Sequence, residues 1–154
     1  MLKKELIAIP LWSSEEIDRY DLGKALSNPQ LPRDIAKSNN WDIVYPAGNQ
    51  LLIDIDSEEN LDLFYRRLEW FKDYYFTYCG SSDKDILVEE TPSMSNKNGH
   101  RHVKVTIIGY RDLSVPERIA LQACLGSDLK REMLSILSYL KGIPSPTLFF
   151  EAQK

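Results

Sequence analysis

The stretch Leu51-Leu52-Ile53-Asp54-Ile55-Asp56 decides how this chain is read, together with Asn98-Gly99-His100-Arg101-His102-Val103-Lys104-Val105 further on. Each has the apolar alternation of a β-strand and carries polar chemistry on one face, because side chains along a strand alternate between its two faces. Leu51, Ile53 and Ile55 share one face; Leu52, Asp54 and Asp56 share the other. In the second stretch Val103, Val105 and Ile107 oppose His102 and Lys104. His100 joins the His102 face if the strand extends back, and Arg101 points the other way. Two carboxylates on one strand are half of a divalent-metal site, since hard cations prefer carboxylate oxygen. A His and a Lys on one face of another strand offer contacts to phosphate. Together they point to metal-assisted nucleotide chemistry.

Around these strands, residues 41–45 read as a short strand and Pro46-Ala47-Gly48-Asn49 as a turn, so residues 41–56 are expected to form a hairpin. Ser57-Glu58-Glu59 opens a helix in which Leu61, Phe64, Leu68, Phe71 and Tyr75 recur at helical spacing. The run Tyr74-Tyr75-Phe76-Thr77-Tyr78 leads from the helix end into a strand, and Gly80-Ser81-Ser82-Asp83 is a turn. Residues 86–91 and 101–109 are strands on either side of a polar loop. Ser114-Val115-Pro116-Glu117 is a capping box with an early proline, and its helix ends near Gly126. Ser127-Asp128 caps a last helix with Leu129, Met133, Ile136, Leu137 and Leu140 on one face, stopped by Gly142 and Pro144. Thr147-Leu148-Phe149-Phe150 is a final short strand.

Towards the start, residues 6–12 are strand-like, and Ser13 with Glu16 forms a capping box for a helix to about Leu26. Pro29, Pro32 and residues 37–40 mark a loop with a helical turn. Hairpins in place of regular βαβ alternation predict the α+β class: one domain over residues 1–154, with a mixed or antiparallel sheet flanked by helices.

The 154 residues suit one domain with a sizeable core, and 43% apolar with 27% charged residues fits a soluble globular chain. No apolar run approaches the ~20 residues of a membrane span, and the start shows no signal-peptide pattern. The expectation is a cytoplasmic protein with no membrane contact. A net charge of −4 argues against a dedicated basic nucleic-acid binder. A DNA template would be held weakly and in a salt-dependent way. Cys79 and Cys124, with His100 and His102, make neither a disulfide framework nor a tetrahedral zinc site. Both thiols are expected as buried apolar fillers.

In their order and context, these segments resemble the archaeo-eukaryotic primase superfamily, the primase-polymerases. That family ends a strand in D-x-D or D-x-E and runs into a helix, as Asp54-Ile55-Asp56 runs into the capped helix from Ser57. Its second motif is a Gly-containing polar loop leading to a His at the head of an apolar strand. Thr91-Pro92-Ser93, followed by Asn98-Gly99-His100-Arg101-His102, is similar. Its third is a single Asp, matched by Asp128 in Leu125-Gly126-Ser127-Asp128. The resemblance covers residues 41–135. The loop before His102 is longer and less Gly-rich than the family's form, and no zinc-binding stem or helicase domain accompanies it.

The resemblance implies a bare catalytic core for nucleotidyl transfer, with Asp54, Asp56, His102 and Asp128 as its catalytic set. The three aspartates would hold two Mg²⁺ or Mn²⁺ ions, one activating a 3′-hydroxyl and one stabilising the leaving pyrophosphate. Ser93, His100, Arg101, His102 and Lys104 would bind the nucleoside triphosphate. A DNA template and a replication partner such as a helicase follow from the same likeness.

Plainer readings stand beside these. Asp54 and Asp56 also suit a solvated strand end capping the next helix, and Asp128 an ordinary N-cap. His102 suits a half-buried histidine satisfied by a carbonyl, and Lys104 an exposed strand lysine. Lys130 and Arg131 read as a solvated helical face, and Asp83 with Asp85 as a solvated turn. The aromatic regions around Trp41, Trp70 and Phe149 read as core, with Phe149-Phe150 also open to an interface role. Two other functions are open. With water as acceptor the same site is a nucleoside-triphosphate pyrophosphohydrolase. Without metal chemistry the chain is an interaction module of a replication complex.

Overall fold

A computed structural model describes residues 31–76, 86–92, 100–143 and 146–153. The strand expected at 6–12, the helix from Ser13, Cys79, the turn with Asp83 and Asp85, and Ser93 lie outside the described residues. In chain order the described elements are α1 (Leu31–Asn39), β1 (Trp41–Val44), β2 (Gln50–Ile55), α2 (Glu58–Phe71), β3 (Ile86–Pro92), β4 (Arg101–Ile107), α3 (Val115–Cys124), α4 (Leu129–Leu140) and β5 (Phe149–Ala152). The fold is α+β with two small antiparallel sheets, as expected from the hairpin-rich pattern.

The central sheet has the order β2-β4-β3. Its register sets Asp54 opposite His102 and Leu52 opposite Lys104. One face carries Leu51, Ile53, Ile55, Val103, Val105 and Ile107, and α2 lays Phe64, Leu68 and Phe71 onto it. Ser57 starts α2 by accepting a bond from the Asn60 amide at 3.2 Å, which satisfies one of the orphan donors of the first turn. A π-helical turn (Lys72–Phe76) extends α2, so Tyr74 and Tyr75 remain helical and do not begin a strand.

Three sequence expectations fail here. Residues 41–56 are not a hairpin: β1 pairs with β5, and β2 pairs with β4. The connecting turn is held from elsewhere, because the Arg118 guanidinium donates to the carbonyls of Ala47 and Gly48 and the Leu113 amide donates to Gly48. Residues around Pro32 form a helix rather than a loop. Pro32 stands in its first turn, where no amide is required, and Asn40 at φ 55° ends it. Cys124 and Trp70 are exposed rather than core, Trp70 at 61%.

The fourth departure concerns α4. Its expected apolar face is turned outward, with Leu129 at 65% and Leu140 at 72% exposure, while Glu132, Ser135 and Ser138 are buried. The cause is β2. As an edge strand it presents N–H and C=O groups on the side away from β4, and buried backbone groups must be paired. A polar helix face supplies the partners. No helix among the described residues is long and apolar enough to cross a membrane.

Candidate functional site

The free edge of β2 is satisfied one group at a time. Arg118 donates from Nε to the Gln50 carbonyl at 2.9 Å. The Leu52 amide donates to Gln122 Oε1 at 2.8 Å, and the Leu52 carbonyl accepts from Arg131 Nη1 at 2.7 Å. The Asp54 amide donates to Ser127 Oγ at 3.1 Å, and the Asp54 carbonyl accepts from the Asp128 amide at 2.8 Å. This last pair of bonds locks residues 127 and 128 beside Asp54.

The α3–α4 connection makes that approach possible. Gly126 has φ +98°. Its amide bonds to Ala123 O at 3.2 Å, and the Ser127 amide bonds to Gln122 O at 3.0 Å. These bonds form a Schellman reversal, which favours glycine at the left-handed position. Asp128 then caps α4 by accepting from the Lys130 amide at 3.2 Å. Asp128 is therefore an N-cap, and capping leaves it beside Asp54.

Asp54, Asp56 and Asp128 each present a carboxylate oxygen within 4.8 Å of the others. Asp56 is exposed, and Asp54 and Asp128 are half-buried. Burial, aided by the neighbouring Asp56 and Asp128 charges, pushes the Asp54 carboxyl up to about 6 against the downward pull of Arg131. Burial, then the Asp56 charge, raises Asp128 as well. Three such oxygens are a hard donor set, and like charges this close favour a bound cation or a shared proton. The set could hold a divalent cation.

His102 is buried on the same face, with Nε2 at 3.9 Å from Asp54 Oδ1. Its ring stacks on Phe149 at a centroid distance of 4.0 Å and an interplanar angle of 2°. Nδ1 is buried and has no hydrogen-bond partner among the described residues. Burial, with the nearby Arg131 charge, lowers its pKa to about 4, so the ring is neutral at pH 7. Phe149 is thus an inner residue that seats His102, not an interface residue, while Phe150 packs against Trp41.

The remaining predicted contacts spread out. His100 lies close enough to Asp54 and His102 to influence both charges. Lys104 is half-buried, two residues along β4 from His102. Arg101 reaches away from the carboxylates, donating to Glu58 Oε1 at 3.4 Å and to the His100 carbonyl at 3.0 Å.

Sequence reasoning placed Arg131 on a solvated face and missed the group it belongs to. Gln122 donates to both oxygens of Glu132 at 3.2 and 3.0 Å. Ser127 donates to Glu132 Oε1 at 2.9 Å, and Arg131 meets the same oxygen at 3.1 Å. The sequence signal was polar residues at positions 131, 132, 135 and 138 on one side of a helix whose other side is apolar. That pattern is symmetric as to which side faces inward. No protein-family model, curated protein or solved structure matches the chain.

Proposed function

We propose that this chain is a metal-dependent nucleotidyltransferase of the primase-polymerase kind, acting on nucleoside triphosphates. The observation that carries this reading is the convergence of Asp54, Asp56 and Asp128 within 4.8 Å, from a strand, its end and a helix cap. Their all-carboxylate chemistry fits Mg²⁺ or Mn²⁺. When bound, such ions supply a lowered pKa at the attacking hydroxyl and charge neutralisation at the departing pyrophosphate.

The chain's own residues supply position. The Asp128 amide donates to the Asp54 carbonyl and the Asp54 amide to Ser127 Oγ, so the two carboxylates start from a fixed relation. His102 is neutral and buried, and its role is to hold a phosphate oxygen by hydrogen bonding rather than by charge. Lys104, two residues further along the same face, is the charged contact. Ser93 and His100 flank the approach to His102 in sequence, and Arg101 needs to leave Glu58 to take part.

A second reading keeps the site and makes water the acceptor, giving a nucleoside-triphosphate pyrophosphohydrolase. The net charge of −4 favours it, since it disfavours a nucleic-acid template. Incubation with Mn²⁺ and deoxynucleotides, with and without a primed template, separates the two. Elongated product supports transfer; template-independent monophosphate and pyrophosphate support hydrolysis. Asp54→Ala and Asp56→Ala are expected to abolish either activity, and full activity in both variants removes the metal assignment. Absence of any nucleotide–metal binding by calorimetry returns the chain to the interaction-module reading.

A further inference from the structure

We infer that Arg131 is a positioning residue for the Asp54–Asp128 pair and for His102, an inference that rests on the metal reading of that pair. One guanidinium touches several supports of the site. Nη1 donates to the Leu52 carbonyl at 2.7 Å, to Ser127 Oγ at 3.1 Å and to Glu132 Oε1 at 3.1 Å. Leu52 lies two residues before Asp54 on the same strand, and Ser127 Oγ is the acceptor for the Asp54 amide. The face of the guanidinium lies 4.9 Å from the centre of the Phe149 ring, whose own partner is His102. Nη2 reaches the Leu148 carbonyl at 3.4 Å. A planar fork with fixed donor directions suits such a junction, and a lysine ammonium does not reproduce it.

Charge and position make opposite demands on a cation site. As a positive charge near Asp54 and Asp128, Arg131 opposes the binding of a divalent cation. As a support, it holds the carboxylates together and promotes binding. Supports of this kind outside the ligand set commonly change metal affinity by about 10- to 100-fold when removed. The sign of the effect of removing Arg131 therefore reports which role it has.

The test titrates Mn²⁺ into the full chain by electron paramagnetic resonance of the free ion. It compares the wild type with Arg131→Met, Arg131→Lys and Ser127→Ala, and amide hydrogen exchange is followed at Asp54 and Asp128. Positioning predicts about tenfold weaker Mn²⁺ binding in all three variants, with faster exchange of those two amides relative to the β4 amides. Tighter binding by Arg131→Met with wild-type affinity in Arg131→Lys shows a charge effect only and overturns the inference. So do unchanged affinity and unchanged exchange. If Arg131→Met does not fold, Arg131→Lys and Ser127→Ala decide by the same criteria. A wild type that binds no Mn²⁺ removes the metal reading; the exchange data then still report whether Arg131 holds the Asp54–Asp128 pair, and unchanged exchange overturns that too.

Discussion

Helices α2 and α4 pack around the same strand by opposite rules. The α2 helix covers the core face of β2 with Phe64, Leu68 and Phe71. The α4 helix meets its free edge with Arg131 and buries Glu132, Ser135 and Ser138, leaving Leu129, Ile136 and Leu140 outside. A sheet face offers apolar side chains and is satisfied by area. A sheet edge offers backbone donors and acceptors and is satisfied only by hydrogen bonds. The apolar contact fixes that β2 exists. The polar contact fixes where Asp54 and Asp128 stand relative to each other.

The largest effect should come from the apolar side. Phe64 is fully buried, and Phe64→Ala is expected to cost about 3–5 kcal/mol in urea unfolding. Retention of wild-type stability would mean that α2 is not packed as described. On the polar side, Glu132→Ala removes the buried acceptor shared by Arg131, Gln122 and Ser127, at about 3 kcal/mol. Glu132→Gln keeps the shape and is expected to cost clearly less. Equal losses in the two variants would show that α4 is held by volume, not by polar pairing.

A third test uses pH. The Asp54 carboxyl, raised to about 6 by burial, contributes stability that is complete below its ordinary value of 3.8 and lost as pH rises to about 6. The His102 imidazole, lowered to about 4 by burial, contributes stability that is complete above its ordinary value of 6.5 and lost as pH falls to about 4. Between these limits the two slopes oppose, each worth on the order of 2–3 kcal/mol. Unfolding of the wild type should therefore vary little from pH 4 to 6 on their account. Relative to the wild type, Asp54→Asn should tilt the stability profile towards rising with pH in that window, and His102→Gln towards falling. Parallel profiles for the two variants would contradict the shared buried face.

The smallest effect belongs to the helix starts. Ser114 accepts from the Glu117 amide at 3.3 Å and caps α3. Ser114→Ala should lower the melting stability by about 1 kcal/mol, without altering Mn²⁺ binding. A larger loss would tie the start of α3 to the β2 edge more closely than the one bond to the Ser114 hydroxyl implies.

Much of the fold was legible in the residues. The helical spacing of Phe64, Leu68 and Phe71, the caps at Ser57, Ser114 and Asp128, and the alternation of β2 and β4 are local signals, and each element formed close to its expected bounds. That residues 41–56 do not pair as a hairpin was not legible, because the turn between them is held by Arg118 from 70 residues away. Nor was the inversion of α4. Amphipathic periodicity states that a helix has two faces but not which of them meets a neighbour that needs hydrogen bonds.

By itself the sequence determined the α+β class and the apolar face of the central strands. Those depend on spacing along the chain, which period 2 and period 3.6 translate directly into faces. Only the tertiary structure decided that Asp128 stands beside Asp54, that Phe149 seats His102, and that Arg131 and Glu132 turn inward. Those depend on which unpaired backbone groups β2 presents once it pairs with β4, and no local pattern records a partner's unsatisfied edge.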